Sequence, residues 1–383
     1  MIGCKVPGYA VIRGLAQMDI YIIALTYSDS DFTHLSKYVK EVMPICPPEE
    51  NEEEFIYTFI KNADRWNGAL ILETSDSIAI AISRNKEALS KYYKIVTPDW
   101  EILKIFIEKE RTYALAKECD VPHPQSRYIE SIADLTEVEY FKFPCILKPV
   151  RSFEFISRFQ VKNFKVENIK QLEEKIQLCL DAGQSMILQE IIPGPDENLY
   201  KLQGYINSQG KMVGKFFHRK LRQNPPAFGV FRVQISTKRN SQVEQLTEIL
   251  LNQVNYKGYF SIEFKKDDRD GLLKLMENNC RMPRSGMHAI ACGVNLPWII
   301  FLDLVKNQQI DVEFYKKDFY VIELLADISN SLFHHKEEDI QFRDYFKPYL
   351  IRNKVFADLD FHDLRPFMRL TTQKLINLWR KIG

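Results

Sequence analysis

The chain has 383 residues, of which 45% are hydrophobic and 27% charged, and its formal net charge is +1. This is the composition of a globular protein with room for two or three packed domains, and no global field draws it to nucleic acid or an anionic membrane. The 7 cysteines (4, 46, 119, 145, 179, 280 and 292) are odd in number and form no C-x-x-C clip, which argues against a disulfide framework or a structural zinc and for a reducing cytoplasm. The longest apolar run, Leu296–Leu302, is far too short to span a bilayer, and the N-terminus has neither the charged region nor the long apolar stretch of a signal peptide.

In chain order, the first hundred residues alternate strand and helix, the pattern of a small parallel α/β domain. Met1–Gly3 would be a very short first strand. Helical spacing follows at Tyr9–Met18, Glu52–Ala63 and Ser77–Leu89, and strands are expected at Asp19–Leu25 and Gly68–Leu72. One strongly patterned helix is expected over Asp99–Cys119, stopped by Val121-Pro122-His123-Pro124. Phe143–Lys148 reads as a buried strand ended by Pro149, with Phe159–Val166 as its partner and a helix to Ala182. Met186–Ile192 is a further strand. Tyr200–Ser236 is strand-rich, with a turn at Asn207–Gly210, and Ser241–Val254 is helical. Phe260–Lys265 and Leu272–Glu277 form a hairpin around Asp267–Gly271, and a basic amphipathic helix is expected at Thr372–Ile382.

The hairpin carries the chemistry. In an alternating strand Glu263 and Ser261 face one side while Phe260, Ile262 and Phe264 face the other. On the next strand Glu277, Asn279 and Arg281 share one face, and pairing brings that face beside Glu263. Two carboxylates and an amide oxygen make a hard-cation site of the kind magnesium takes with phosphates. A guanidinium two residues on suits a phosphoryl group or a developing oxyanion. Cys280, between two site-facing positions, is expected to point into the core.

Glu263 followed by Met276-Glu277-Asn278-Asn279-Cys280-Arg281 resembles the closing motif of the ATP-grasp superfamily. Ile187–Glu197 looks like its adenine hinge, Phe143–Pro149 like its nucleotide-lysine strand, and Glu108-Lys109 like its earlier lysine. The segment His218-Arg219-Lys220-Leu221-Arg222-Gln223 through Gly229 is similar to that of the carboxylate–amine ligase branch, which includes D-aspartate ligase-like proteins. So are Ser75-Asp76, Asp270-Gly271 and Gly293–Pro297. The resemblance covers roughly residues 8 to 305 and implies an α/β fold, α+β in its central module: an ATP-grasp fold behind an N-terminal parallel α/β domain. Its boundaries would fall at 1–97, 98–189, 190–330 and 331–383, the last a C-terminal extension.

The resemblance also implies the activity and its parts. ATP would phosphorylate a substrate carboxylate, and an amine would attack the acyl phosphate with release of ADP and phosphate. The cofactors would be ATP and Mg2+, the latter held by Glu263, Glu277 and Asn279. Lys109 and Lys148 would meet the phosphates. Glu190, Ile191, Ile192 and Glu197 would hold adenine and ribose, with Ile192 giving the hinge amide because Pro193 has none. Lys220 and Arg281 would offset moving charge, and Arg222 would hold the acceptor carboxylate. The loop after Lys148 has no glycine, so Arg151 and Ser152 would contact the phosphates through side chains instead of backbone amides. The thin glycine turn Gly3–Gly8 belongs to a first domain that, in this family, shapes the substrate side. The partners would be small carboxylate and amine substrates, with a homodimer as the assembly seen in related folds. Two other functions fit the same residues: a nucleotide-binding protein without catalysis, and a ligase for a carrier-bound, cell-wall or polysaccharide substrate.

Overall fold

The computed structural model describes residues 5–27, 31–150, 155, 158–224, 229–333 and 342–382. The expected first strand and the residues Arg151 and Ser152 lie outside them. Two compact units divide the chain: Met1–Lys104, Pro195–Glu263 and Asn278–Gly383 in the first, Ile105–Gly194 and Phe264–Glu277 in the second.

The first unit opens on α1 (Val6–Ala16), with Pro7 in its first turn, where a missing N–H costs nothing. The residues of the expected glycine turn from Val6 onward are therefore helical. Strands β1 (Ile23–Thr26) and β2 (Glu41–Pro44) form one parallel pair. Helix α2 (Glu52–Lys61) follows, its N-terminus capped by Asn51, which accepts from the Glu54 amide. Strand β3 (Leu70–Ile71) leads into α3 (Asp76–Arg84), capped by Ser75. The single helix expected to Leu89 is interrupted at Asn85, whose amide bonds back to the Ala81 carbonyl, and restarts as α4 (Lys86–Leu89). Strand β4 (Lys94–Ile95) pairs in parallel with β3, in a sheet separate from β1 and β2.

The helix expected over Asp99–Cys119 is two helices, α5 (Trp100–Ile107) and α6 (Lys109–Glu118). Glu108 between them is extended, with ψ 108°, so Lys109 starts a new helix. The Thr112 hydroxyl bridges the junction, donating to the carbonyls of both Ile105 and Glu108.

The second unit is built on an antiparallel sheet of β5 (Ser126–Ile129), β6 (Cys145–Pro149), β7 (Phe164–Val166) and β8 (Met186–Glu190), in the spatial order β5-β8-β6-β7. One face packs on α7 (Ile169–Asp181), with Cys145, Leu147, Met186 and Leu188 meeting Leu172 and Ile176 in a single core.

The chain returns to the first unit with β9 (Leu199–Ile206), β10 (Met212–Asn224) and β11 (Val230–Ser236), followed by α8 (Ser241–Gln253). Strands β12 (Gly258–Lys266) and β13 (Leu273–Asn279) each run from one unit into the other. Helices α9 (Gly286–Cys292) and α10 (Leu296–Leu304) pack with α1 and β9 around Phe216, Tyr205 and Tyr259. The C-terminal extension is part of the same sheet: β14 (Tyr320–Ile322) pairs with β11, and β15 (Lys354–Phe356) pairs with β14. Helices α11 (Leu324–Phe333), α12 (Phe342–Leu350) and α13 (Arg365–Ile382) complete it, the last starting a full turn and more before the expected Thr372. Among the described residues no single helix is long and apolar enough to cross a membrane.

Candidate functional site

In the first unit, β12 alternates as its sequence requires, and the Glu263 carboxylate is 6% exposed. Lys220 of β10 stands 3.2 Å from its Oε2, and Lys201 of β9 3.7 Å. Oε2 is fully covered, with these two ammoniums beside it but no hydrogen bond of ordinary geometry. Lys201 was not singled out by its sequence; the signal lay in its place opposite His218 across β9 and β10. His218 itself is buried beside Phe216 and His288, and burial holds its ring well below the usual imidazole range, which suits a neutral structural residue.

Arg222 stands only two residues from Lys220 but does not share its surroundings. A register shift between them breaks the alternation that would aim both alike. The Arg222 fork is closed by the chain itself: Nη2 lies 2.6 Å from Asp327, Nη1 donates to the Tyr345 carbonyl at 2.8 Å, and the guanidinium sits 4.5 Å over the Tyr345 ring. Arg232 and the Tyr349 hydroxyl converge on the same fully buried Asp327. The fork expected to hold an acceptor carboxylate is taken here by internal partners, which link β10 to α11 and α12.

The end of the metal-type motif lies in the first unit. Asn279 and Arg281 are half-buried, Cys280 between them is 2% exposed, and burial pushes its thiol up to about 12. Cys280 is thus the inert core residue that alternation implies. The Arg281 Nε lies 3.1 Å from Asp76, the first residue of α3. Three residues before Asp76, Glu73 is 1% exposed, and its carbonyl accepts from the Met282 amide at 3.1 Å. Neither its carboxylate oxygens nor the Thr97 hydroxyl makes a hydrogen bond of ordinary geometry. Burial pushes the Glu73 carboxyl up to about 7, and its own backbone amide, Thr97 and Lys86 pull it only part of the way back. Its folded value is above its unfolded one. The stability it contributes is therefore present in full below about pH 4.5 and is lost as pH rises toward and through about 7. Glu73→Gln is expected to flatten the fall in melting temperature between about pH 5 and 8, a change of ~3 kcal/mol at most. Thermal unfolding across that range measures it, and an unchanged slope would remove Glu73 as the cause.

In the second unit, strand register puts Lys148 opposite Ile187 and Ile187 opposite Tyr128. With Ile146 and Gln189 they form the sheet face that points away from the apolar core. Tyr113 of α6 accepts from Gln189 Nε2 at 3.1 Å and donates to the Met276 carbonyl at 3.3 Å. Burial first, and then the nearby Glu277 charge, push its hydroxyl upward. Lys109 opens α6, and Lys148 is half-buried.

At the hinge, the Glu190 carboxylate accepts from the Gln125 amide at 2.9 Å and pairs with Arg269 at 2.6 Å and Lys274 at 3.5 Å. Arg269 and Lys274 also clamp Asp267 and hold its carboxyl well below the usual range. This ion network escaped sequence reading because Glu190 and Arg269 are 79 positions apart in the chain. Ile191 is half-buried, and Ile192 is buried at 2%. Glu197 is exposed on a short 3-10 turn, Asp196–Asn198, in the first unit.

No protein-family model matches the chain. It is 28% identical over 320 residues to D-aspartate ligase of Enterococcus faecium, which covers 76% of each chain. It is similar in structure to an L-amino acid ligase from Bacillus licheniformis, with TM-score 0.62 and 17% identity over 80% of this chain and 73% of that one. It is also similar to N5-carboxyaminoimidazole synthetase of Staphylococcus aureus in complex with ADP, with TM-score 0.65 and 13% identity over 88% and 86%. The biotin carboxylase domain of the Hydrogenobacter thermophilus 2-oxoglutarate carboxylase, solved with MgADP, gives TM-score 0.64 and 16% identity over 83% and 72%. The α/β architecture expected from the sequence, and the likeness to ATP-dependent ligases, are both borne out by these matches.

Proposed function

The chain has the ATP-grasp fold, and on that footing we propose that it is an ATP-dependent, ADP-forming ligase that joins a carboxylate to an amine through an acyl phosphate. The observation that carries the reading is Glu263, a covered carboxylate held between two lysines. A carboxylate flanked by ammoniums suits a site that takes a cation and polyanionic phosphates together. The donor set proposed for magnesium, Glu263, Glu277 and Asn279, is all hard oxygen. Magnesium, when bound, supplies neutralisation of phosphate charge.

The chain's own residues do the rest. Lys148 and Lys109 hold the phosphates of ATP. Lys220 and Arg281 offset the negative charge that moves onto the acyl phosphate, Arg281 being oriented by Asp76. Ile191, the Ile192 amide and the Glu197 carboxylate are the groups that would hold adenine and ribose. Because Glu190 is already held by Gln125, Arg269 and Lys274, its carboxylate positions the hinge and any adenine contact it makes is through backbone. The similarity to D-aspartate ligase supports an amino acid as one substrate, with D-aspartate the first to try.

The test is ADP release with paired pools of amino acids and small carboxylates. Sustained ADP release is expected only when both substrates are present, and hydroxylamine, standing in for the amine, should give the hydroxamate together with ADP and phosphate. Lys148→Ala should raise the KM for ATP by ~10-fold or more, as loss of a phosphate contact requires. Confirmed ATP binding with no ADP and no hydroxamate in any pairing would replace this reading with nucleotide binding alone.

A further inference from the structure

Arg284 follows the proposed metal strand and lies in the first unit. The hydroxyl of the next residue, Ser285, accepts from Gln203 Nε2 at 2.9 Å. Gln203 stands two residues beyond Lys201 on β9, so alternation puts both on the sheet face that carries Glu263. The Arg284 fork is held on one edge only. Its Nε lies 2.5 Å from Glu323 Oε2 and its Nη2 meets Oε1, while Nη1 has no partner among the described residues. The Glu323 side chain is 3% exposed and that of Arg284 40%. A buried carboxylate thus fixes a partly open guanidinium that keeps two N–H donors to give.

A second cation is close by. Lys374 of α13 is half-buried and senses the charges of Glu323, Asp358 and Arg284. Among the described residues it forms no ion pair. Both nearby carboxylates are committed elsewhere: Glu323 to Arg284, and Asp358 to the amides of Leu324 and Leu325 at 2.9 Å each. Burial holds the Lys374 ammonium below its usual range, Glu323 and Asp358 oppose this in part, and the Arg284 charge adds to it. Two neighbouring cations with little water repel each other, and an oxyanion between them removes that cost.

We propose that Arg284 and Lys374 form a subsite for a carboxylate of the amino-acid substrate, with Arg284 Nη1 and the Lys374 ammonium as the donors. This gives the C-terminal helix a part in substrate recognition. The proposal rests on the ligase reading for what the ligand is, but binding is measured without turnover, so the two can fail separately.

Succinate and D-aspartate are the probes and succinamide the uncharged control, titrated by calorimetry into the full chain with excess MgADP present. At least one carboxylate is expected to bind with Kd on the order of 1 mM, and succinamide ~10-fold or more weaker. Arg284→Gln should weaken the carboxylate by ~10-fold and Lys374→Gln by ~5-fold, with the affinity for MgADP unchanged in both. Arg284→Gln strips Glu323 of its partner; if that variant does not fold, Lys374→Gln, which breaks no ion pair, decides. No saturable binding of either carboxylate by the wild type would overturn the proposal. So would carboxylate binding that the folded Lys374→Gln protein retains in full, succinamide binding as tightly as succinate, or binding of inorganic phosphate but of neither carboxylate. Carboxylate binding that needs Arg284 and Lys374, in a protein that releases no ADP in any pairing, would uphold the subsite and remove the ligase reading.

Discussion

Glu277→Gln is expected to lower the rate of ADP formation by at least ~100-fold while the protein stays folded. The substitution keeps the shape of the side chain and removes one of two carboxylate charges from the proposed magnesium set. Losing a charged group that acts on phosphoryl transfer costs factors of ~10²–10³ or more. Glu277 is half-buried, and the melting temperature should move by no more than ~4 °C. Glu263→Gln should have a comparable effect on rate and a larger one on stability, because two lysines beside it lose their counter-charge. A Glu277→Gln protein with wild-type turnover would sink the metal assignment. Loss of both rate and folding would move Glu277 into the structural group, and circular dichroism separates the two results.

Arg222→Ala should act on stability instead of on substrate affinity. Removing one partner of a buried ion pair leaves the other charge uncompensated, at a cost of ~3–5 kcal/mol. Here the remaining group is Asp327, 0% exposed, and because Arg232 3.2 Å away and the Tyr349 hydroxyl at 2.5 Å still meet it, the loss should fall at the lower end of that range. Arg222→Lys should not restore stability, since an ammonium cannot reach both Asp327 and the Tyr345 carbonyl as the fork does. Thermal unfolding and substrate KM, measured on the same protein, decide the matter. A raised KM for the acceptor at unchanged melting temperature would return Arg222 to the substrate.

These two residues show where sequence reading succeeds and where it stops. Strand alternation singled out Glu263, Glu277, Asn279 and Arg281 for the proposed site, and the burial of Cys280 between two of them follows the same rule. The internal partners of Arg222 could not be foreseen because its neighbour Lys220 does point toward Glu263, and only the register shift between them separates the two. The break at Glu108 was invisible for a related reason. A one-residue extended link leaves apolar spacing on either side almost undisturbed, and neither proline nor glycine marks it. Glu73 offered no motif at all; what distinguishes it is a buried carboxylate with no hydrogen bond of ordinary geometry, a property of packing. The Glu190 network likewise depends on Arg269, brought to the hinge from a distant turn.

The far end of the chain is bound to its beginning. The Tyr9 hydroxyl donates to the Asp363 carbonyl at 3.2 Å, Ser36 donates to the Asp363 carboxylate at 2.6 Å, and Arg13 donates to the Phe356 carbonyl at 2.8 Å. Strand β15 takes its place in the sheet only through β14. Closing such contacts means bringing together residues more than 320 positions apart, the type of contact that slows folding. Tyr9, Arg13 and Ser36 therefore lack these partners until the segment from about residue 354 has been made. A chain cut before residue 354 would keep every proposed ATP residue and still lack the partners of Tyr9, Arg13 and Ser36. Such a fragment should accumulate as aggregate, so the ATP residues by themselves do not define a separable working piece.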